Sequence, residues 1–382
     1  ALIVAPKGVY KNWHDIEIPV HLPDHVEHTK VLWEPTTTKK KQTELNTLFD
    51  DKGDLKVLIM NIEAFSTAKG LDFAERFLNI FMGKALIGID ESTTIKNPTA
   101  KRTKNILKIG NLASYRRILT GSPVTKSPLD LFSQCEFLDP YHLGHQSYYS
   151  FRARYANMIK RNFGGRSVQL VTSYRRLDEL ADKLDSFSYR VLKEDCLDLP
   201  PKIFTTRHIE LSDEQKEKYV TMKKSAIAEL DGKLMSSMSA LTTLLRLHQI
   251  TCGSFKADDG TVTSLKNNRL TALMECLEET EGKVIIWATY REDIKNIATA
   301  LKKAYGEDST VEYHGGVDAS LRQGYIAQFQ DVKGPTRYFV GNPSTGGYGI
   351  TLTAANTVIY YSNSYDLEKR LQSEDRAHRI GQ

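Results

Sequence analysis

The sequence predicts an α/β chain made of two parallel-sheet lobes with a helical insertion between them. Three observations carry that expectation. At 382 residues, the chain is long enough to bury more than one hydrophobic core, so length favours two domains over one. Short apolar runs alternate with amphipathic stretches in two separate regions, the pattern of parallel sheets covered by helices on both faces. Between those regions the alternation stops and long helical patterns take over. The expected boundaries are 1–140 for the first lobe, 141–267 for the helical insertion and bridge, and 268–382 for the second lobe.

In the first lobe the strand candidates are ALIVAP, KVLIMNI, KALIGIDE and YRRILTG, separated by helical patterns such as LDFAERFLNIFM and PTAKRTKNILKIG. The middle region contains SDEQKEKYVTMKKSAIAEL, whose Ser212 and Gln215 have the spacing of a capping box. In the second lobe KVIIWATY, TVEYHGG, TRYFVGN and NTVIYYS read as strands, with EDIKNIATALKKA and ASLRQGYIAQF as the intervening helices. No internal repeat and no low-complexity tract interrupts this order.

Charge is nearly balanced, with 52 Lys and Arg against 47 Asp and Glu, so a polyanion site must come from local clustering. Two acid-free stretches supply it. Ser92 to Leu129 carries Lys96, Lys101, Arg102, Lys104, Lys108, Arg116, Arg117 and Lys126, of which the stretch Lys96 to Arg117 reads mainly as a solvated helix face with one or two phosphate contacts. Phe151 to Arg176 carries Arg152, Arg154, Lys160, Arg161, Arg166, Arg175 and Arg176, interleaved with Phe151, Tyr155, Phe163 and Tyr174. Such a mix suits backbone phosphates and stacking on unpaired bases, and a solvated basic surface has the same composition. The cysteines form no CxxC pair, so neither a zinc site nor a disulfide framework is expected, and a reduced, intracellular setting fits. No apolar run approaches the ~20 residues that span a bilayer, and no signal peptide is visible, so a soluble cytoplasmic or nucleoid-associated protein without a membrane partner is expected. The sequence opens at Ala1 on a strand and closes on RAHRIGQ without a helix stop signal, and both ends are expected to be cuts.

Chemistry concentrates at strand ends. Asp90 and Glu91 follow an apolar strand, at the carboxyl end of a parallel sheet where such sheets bind ligands. Adjacent carboxylates there point in different directions, so one can hold hydrated Mg²⁺ while the other polarises a water. An acidic turn closing a strand has the same composition. The next strand ends in Thr120, Gly121, Ser122 and Pro123, a tight turn with two hydroxyls that also suits an ordinary strand-to-helix connection. Between two later strands stand Ser344 and Thr345 with Gly346, Gly347 and Gly349, where backbone can approach a ligand closely. In the closing helical pattern, Gln372, Arg376 and Arg379 are spaced by four and three, which places them near one helical face.

Taken together and in this order, these residues resemble the helicase-like core of superfamily two, and within it the Swi/Snf-type family of DNA-dependent ATPases. APKGVYKNW is similar to that family's first DNA-contact motif, with Pro6 and Lys7 in it. IDESTTIKNP resembles its Walker B motif and LTGSP the motif coupling hydrolysis to DNA. STGGYGITLTAANTV resembles the second-lobe motif lying between ATP and DNA, and DRAHRIGQ matches the arginine-finger motif almost letter for letter. LSDEQKEKYV followed by LLRLHQITCG is similar to a helical segment of the family's second half.

The resemblance implies two RecA-like lobes that use ATP and Mg²⁺ and translocate on nucleic acid, with double-stranded DNA as the expected track. Asp90 would bind Mg²⁺ through water, Glu91 would activate the attacking water, and Arg376 and Arg379 would be the finger residues. Gln372, Asp375, Gly347, Gly349, Thr120, Gly121 and Ser122 would bind ATP and couple its hydrolysis. Pro6, Lys7, Ser344 and Thr345 would contact nucleic acid, and Arg161 and Arg166 are the insertion's candidates for phosphate contacts.

Two departures qualify the resemblance. Most members carry Ala-His or Gly-His after the Walker B carboxylates, where this chain has Ser92 and Thr93. No Gly-x-x-x-x-Gly-Lys-Ser/Thr occurs in the sequence, so the phosphate grip is expected outside it, and these residues alone are expected not to hydrolyse ATP. Two other functions stay open at this point: a non-catalytic module that binds nucleic acid or a protein partner, and an RNA or duplex-unwinding helicase of the same superfamily.

Overall fold

Five strands, β1 (Leu2–Ala5), β2 (His28–Leu32), β3 (Leu55–Asn61), β4 (Leu86–Asp90) and β5 (Tyr115–Leu119), form the first sheet in the order β2-β3-β1-β4-β5. Every pairing in it is parallel. The structure is a computed structural model that describes residues 1–35, 38–50, 53–163, 166–230, 237–256, 259–347 and 349–379. It divides into two units, Ala1–Val191 and Leu192–Gln382.

The central strands of this sheet read as continuous apolar runs because helices cover both of their faces. Leu2, Val4, Leu58, Met60, Ile87 and Ile89 are buried in one core. The helix Ala68–Ile80 adds Ala74, Phe77 and Leu78 to it, and the helix Lys101–Gly110 adds Ile106 and Ile109. Thr67 starts the first of these helices by accepting a hydrogen bond from the Gly70 amide at 3.2 Å. β2 has no counterpart among the expected strands. It lies at the sheet edge, and HTKVL carries too few apolar residues to stand out as a buried run.

Within the span 141–267, expected to be helical, residues 156–174 instead form an antiparallel hairpin of β6 (Ala156–Phe163) and β7 (Arg166–Tyr174). Its signal was in the sequence, since two runs with β-branched residues flank Gly164–Gly165. Phe151 and Tyr155, counted above as stacking aromatics, are fully buried at the base of the hairpin against Leu129, Leu131 and Phe132. The remainder of the span is mostly helical. In the helix Asp213–Leu230 the expected capping box forms: the Gln215 amide donates to Ser212 Oγ at 3.2 Å and the Ser212 amide to Gln215 Oε1 at 3.1 Å. The Gln215 side chain also donates to the Ile250 carbonyl at 2.7 Å, which ties this helix to the helix Ser237–Cys252.

After a short hairpin, β8 (Ser254–Lys256) and β9 (Val262–Ser264), the second parallel sheet comprises β10 (Lys283–Trp287), β11 (Thr310–Tyr313), β12 (Tyr338–Gly341) and β13 (Ala355–Tyr360). Its order is β11-β12-β10-β13, and every pairing is parallel. Central β10 is buried throughout. Val284 and Ile286 face a core with Ile294, Ile297 and Leu301 of the helix Arg291–Tyr305, while Ile285 and Trp287 face another with Phe329 and Phe339. Among the described residues no helix is long and apolar enough to cross a membrane.

Asp293 lies in the first turn of the helix Arg291–Tyr305 and is only 3% exposed. Burial pushes its carboxyl up to about 7, against the opposing pull of Arg269. Because the folded value exceeds the ordinary 3.8, the contribution to stability is complete below pH ~4 and is lost as pH rises through ~7. Asp293→Asn is therefore expected to flatten the pH dependence of stability between pH 4 and 7, by at most about 4 kcal/mol at ~1.4 kcal/mol per pH unit. Urea denaturation at pH 5 and pH 8 measures it, and an unchanged slope would exclude Asp293 as its source.

Candidate active site

β1, β4 and β5 are neighbours in the first sheet, and their carboxyl ends carry Pro6–Lys7, Asp90–Glu91 and Thr120–Ser122 respectively. The Pro6 carbonyl accepts from the amides of Val9 at 2.8 Å and Tyr10 at 3.0 Å, which turns the chain into the next helical segment and leaves Lys7 exposed. From that segment Trp13 donates its indole N–H to Asp90 Oδ2 at 2.9 Å. Asp90 Oδ1 accepts from the Glu91 amide, also at 2.9 Å. The run APKGVYKNW is thus bonded directly to the first carboxylate.

Glu91 adopts the left-handed conformation, φ 51 and ψ 59, which costs a non-glycine residue ~1–3 kcal/mol and persists only where neighbours impose it. Ser92 and Thr93, which replace the family's usual pair, are both buried. The Ser92 hydroxyl donates to Gln134 Oε1 at 2.7 Å, and Gln134 Nε2 donates to the carbonyls of Pro123 and Asp130, each at 2.8 Å. Beyond the Thr120–Pro123 turn, Asp130 Oδ2 accepts from the amides of Thr125 at 3.1 Å and Lys126 at 2.9 Å and from the Thr125 hydroxyl at 3.0 Å. Burial works to raise the Asp130 carboxyl, but these donors outweigh it and hold the group below its ordinary value.

Among the described residues no three His, Cys, Asp or Glu side chains form a metal cage. Asp90 and Glu91 are the carboxylates of this turn. That donor set fits Mg²⁺, which takes one or two carboxylates together with its own waters and substrate phosphates. Both Asp90 oxygens already accept an N–H, so a water-mediated contact fits better than direct ligation.

In the second unit, Ser344 and Thr345 sit in the short helix Pro343–Gly346 at the carboxyl end of β12. Asn342 anchors it, accepting from the Ser344 amide at 2.8 Å and donating to the Thr289 carbonyl at 2.7 Å. A Cβ on Gly346 would lie 2.7 Å from the Trp287 ring, and one on Gly347 would lie 2.4 Å from the Pro343 carbonyl oxygen. The close approaches that require glycine at these two positions are therefore contacts within the protein itself. Gly349 has φ +66, a backbone conformation that favours glycine.

The expected helical face of Gln372, Arg376 and Arg379 does not form. The helix is Leu367–Glu374, and Asp375, at φ −73 and ψ 1, turns the chain out of it. Gln372 stays in the helix while Arg376 and Arg379 lie beyond its end. Arg376, 6% exposed, folds back so that Nε donates to the Gln372 carbonyl at 2.8 Å, satisfying a group that a helix end leaves without a partner. Its Nη1 donates to the Ile350 carbonyl at 3.3 Å, and Arg379 Nη1 donates to Thr351 Oγ1 at 3.3 Å. Both arginines thus bond to the segment that follows Gly349. Asp375 accepts from Lys193 at 2.8 Å and Lys202 at 3.2 Å, and the His378 ring lies 2.9 Å from the Pro200 carbonyl. Burial opposes the ionised form of Asp375, but the two lysines hold its carboxyl below the ordinary value.

The basic stretch 151–176 is largely committed to the fold. Arg154 makes two hydrogen bonds to Glu179, at 3.2 and 2.6 Å, Arg152 donates to Gln169, and Arg175 donates to the carbonyls of Ala153 and Arg154. Lys160 and Arg161 are exposed on β6. Arg166 opens β7, and its side chain lies outside the described residues. Sequence reasoning passed over Trp13, Gln134, Lys193 and Lys202. Trp13 at least stood inside a quoted motif, whereas no local pattern marked the other three.

A family model described as the SNF2-related domain matches residues 1–255, and one described as the helicase conserved C-terminal domain matches residues 266–381. The chain belongs to the SNF2-related family. It is 30% identical over 300 residues to an uncharacterized ATP-dependent helicase of Mycoplasma genitalium, covering 77% of this chain and 27% of that protein. It is also 30% identical over 308 residues to the human DNA annealing helicase and endonuclease ZRANB3, covering 77% of this chain and 26% of ZRANB3. This SNF2-related chain therefore spans about a quarter of the length of these relatives. Among solved structures it is similar to the Sulfolobus solfataricus SWI2/SNF2 ATPase core in complex with dsDNA, at 25% identity and a TM-score of 0.39, covering 100% of this chain and 74% of that one.

Proposed function

We propose that these residues form the motor core of a DNA-stimulated ATPase that moves along duplex DNA. The observation that carries the reading is the Asp90–Glu91 pair at the carboxyl end of β4, with Glu91 in a left-handed conformation and with Lys7 and the Thr120–Ser122 turn on the adjoining strands. The names of the relatives, an ATP-dependent helicase and a DNA annealing helicase, support ATP as the fuel and DNA as the track. In this reading Asp90 positions Mg²⁺ through water, and Mg²⁺ when bound offsets the charge on the phosphates. Glu91 accepts the proton of the attacking water, and Arg376 and Arg379 stabilise charge developing on the transferred phosphoryl group. Gln372, Asp375, Gly347, Gly349, Thr120, Gly121 and Ser122 bind ATP and couple its hydrolysis, while Ser344, Thr345, Pro6 and Lys7 contact DNA.

The test is ATP hydrolysis by the natural full-length protein with and without duplex DNA, using DNA, RNA and hybrid duplexes in parallel. Hydrolysis that rises with duplex DNA and is strongly slowed by Glu91→Gln is expected; hydrolysis absent under all conditions would leave a binding module instead. Strand displacement in the same reactions separates an unwinding helicase from a translocase.

A motor that moves over any sequence grips phosphates rather than base edges. Arg161→Glu with Arg166→Glu is expected to weaken duplex binding and to reduce the slope of log K against log salt by about 0.9 per lost phosphate contact. An unchanged slope in a salt titration would make the hairpin a solvated surface.

A further inference from the structure

We propose that Gln134 is a positioning residue for Glu91, and that it joins the Glu91 turn and the Thr120–Pro123 turn into one mechanical unit. The role of Glu91 rests on the ATPase reading above. The link that Gln134 makes between the two turns rests on the geometry alone.

A non-glycine residue held at φ 51 returns to a commoner conformation unless its neighbours prevent it. On one side Glu91 is held through its own amide, which donates to Asp90 Oδ1 at 2.9 Å. On the other side the chain enters the turn Ser92–Ile95, where the Thr94 amide donates to the Glu91 carbonyl at 3.0 Å. Ser92 has 0% exposure, and its hydroxyl donates to Gln134 Oε1. Gln134 also has 0% exposure and stands on the helix Leu131–Leu138.

The orientation of the Gln134 amide follows from its partners. The Pro123 and Asp130 carbonyls only accept, so the NH₂ group must face them, and Oε1 is left for the Ser92 hydroxyl. One side chain thus spends its acceptor on the turn after β4 and one donor on Pro123 in the turn after β5, while its second donor goes to the Asp130 carbonyl at the start of its own helix. Those strands are paired in parallel, with Asp90 opposite Leu119, so the two turns leave the sheet side by side. In a dry interior neither hydrogen bond can be replaced by water, so a displacement of Pro123 is felt at Ser92 and hence at Glu91. Leucine has no polar group for either turn. Glutamate would set a negative charge against two carbonyl oxygens.

Amide hydrogen exchange on the natural full-length protein tests the linkage without ATP. Ser92→Ala removes a group that does not touch Pro123, yet it is expected to accelerate exchange at the Ser122 and Thr125 amides several-fold. Gln134→Leu is expected to accelerate both turns, and the double variant to add nothing further. Acceleration confined to residues 91–95 in Ser92→Ala overturns the mechanical link.

In the natural full-length protein Gln134→Leu is expected to lower kcat by roughly 10- to 100-fold, the scale of a misplaced catalytic group, with the KM for ATP little changed, when assayed well below a melting temperature that the stranded Pro123 and Asp130 carbonyls are expected to lower. An unchanged kcat, or a loss of kcat that only follows a fall in melting temperature, overturns the positioning role. If Gln134→Leu does not fold, the same kcat and KM comparison is made on Ser92→Ala. A wild-type protein without ATPase defeats the functional reading and the positioning role with it, while the exchange result still decides the link between the turns.

Discussion

Replacing Glu91 with Gln in the full-length protein is expected to slow ATP hydrolysis by roughly 10²- to 10⁴-fold, the worth of a well-placed general base. Gln keeps the size of the side chain but cannot take a proton from water. The Glu91 amide is held by Asp90 and the neighbouring Ser92 by Gln134, and both bonds are kept in the variant, so the fold is expected to survive the change. Duplex binding, which in the proposed function rests on other residues, is expected to persist. Single-turnover hydrolysis beside a duplex-binding titration measures both effects. A variant that keeps the wild-type rate would remove Glu91 from the chemistry.

Arg379→Ala and Arg376→Ala are expected to differ, although the sequence presents the two arginines as a pair. Arg379 is half-buried and reaches one hydroxyl, that of Thr351, so its loss is expected to leave the melting temperature unchanged. Its effect on hydrolysis is expected to be on the order of 10³-fold, the lower end for an arginine that stabilises a phosphoryl transition state. Arg376 is buried and satisfies the carbonyls of Gln372 and Ile350. Truncating it strands those acceptors and opens a cavity, so a loss of about 2–5 kcal/mol in stability is expected in addition to any effect on rate. Thermal melts of both variants, paired with single-turnover rates, separate the two roles. Equal melting temperatures would show that the guanidinium of Arg376 is not part of the fold's framework.

The parallel strands were legible because burial on both faces writes them as unbroken apolar runs: β1, β3 and β4 in the first unit, β10 and β12 in the second. β2 was not legible, since an edge strand needs few apolar residues, and the hairpin β6–β7 was obscured by its polar and basic content. The capping box at Ser212 and Gln215 was readable because both partners lie within one turn of each other, where spacing alone brings them together.

Residue types and their local order determined the α/β class, the two parallel sheets and the strand-end positions of Asp90, Glu91, Thr120 and Ser344, because each depends on periodicity or on a few neighbouring residues. Tertiary structure decided the rest. Phe151 and Tyr155 went into a core instead of onto a surface, and Arg376 turned inward where Arg379 did not. The helix that should have aligned Arg376 and Arg379 with Gln372 stopped at Glu374. Trp13 met Asp90 across 77 residues, and Gln134 met Ser92 across 42. The physical reason is range: propensity and periodicity act over one or two turns of chain, whereas hydrogen bonds between strand-end loops exist only once the sheet has set the strands side by side.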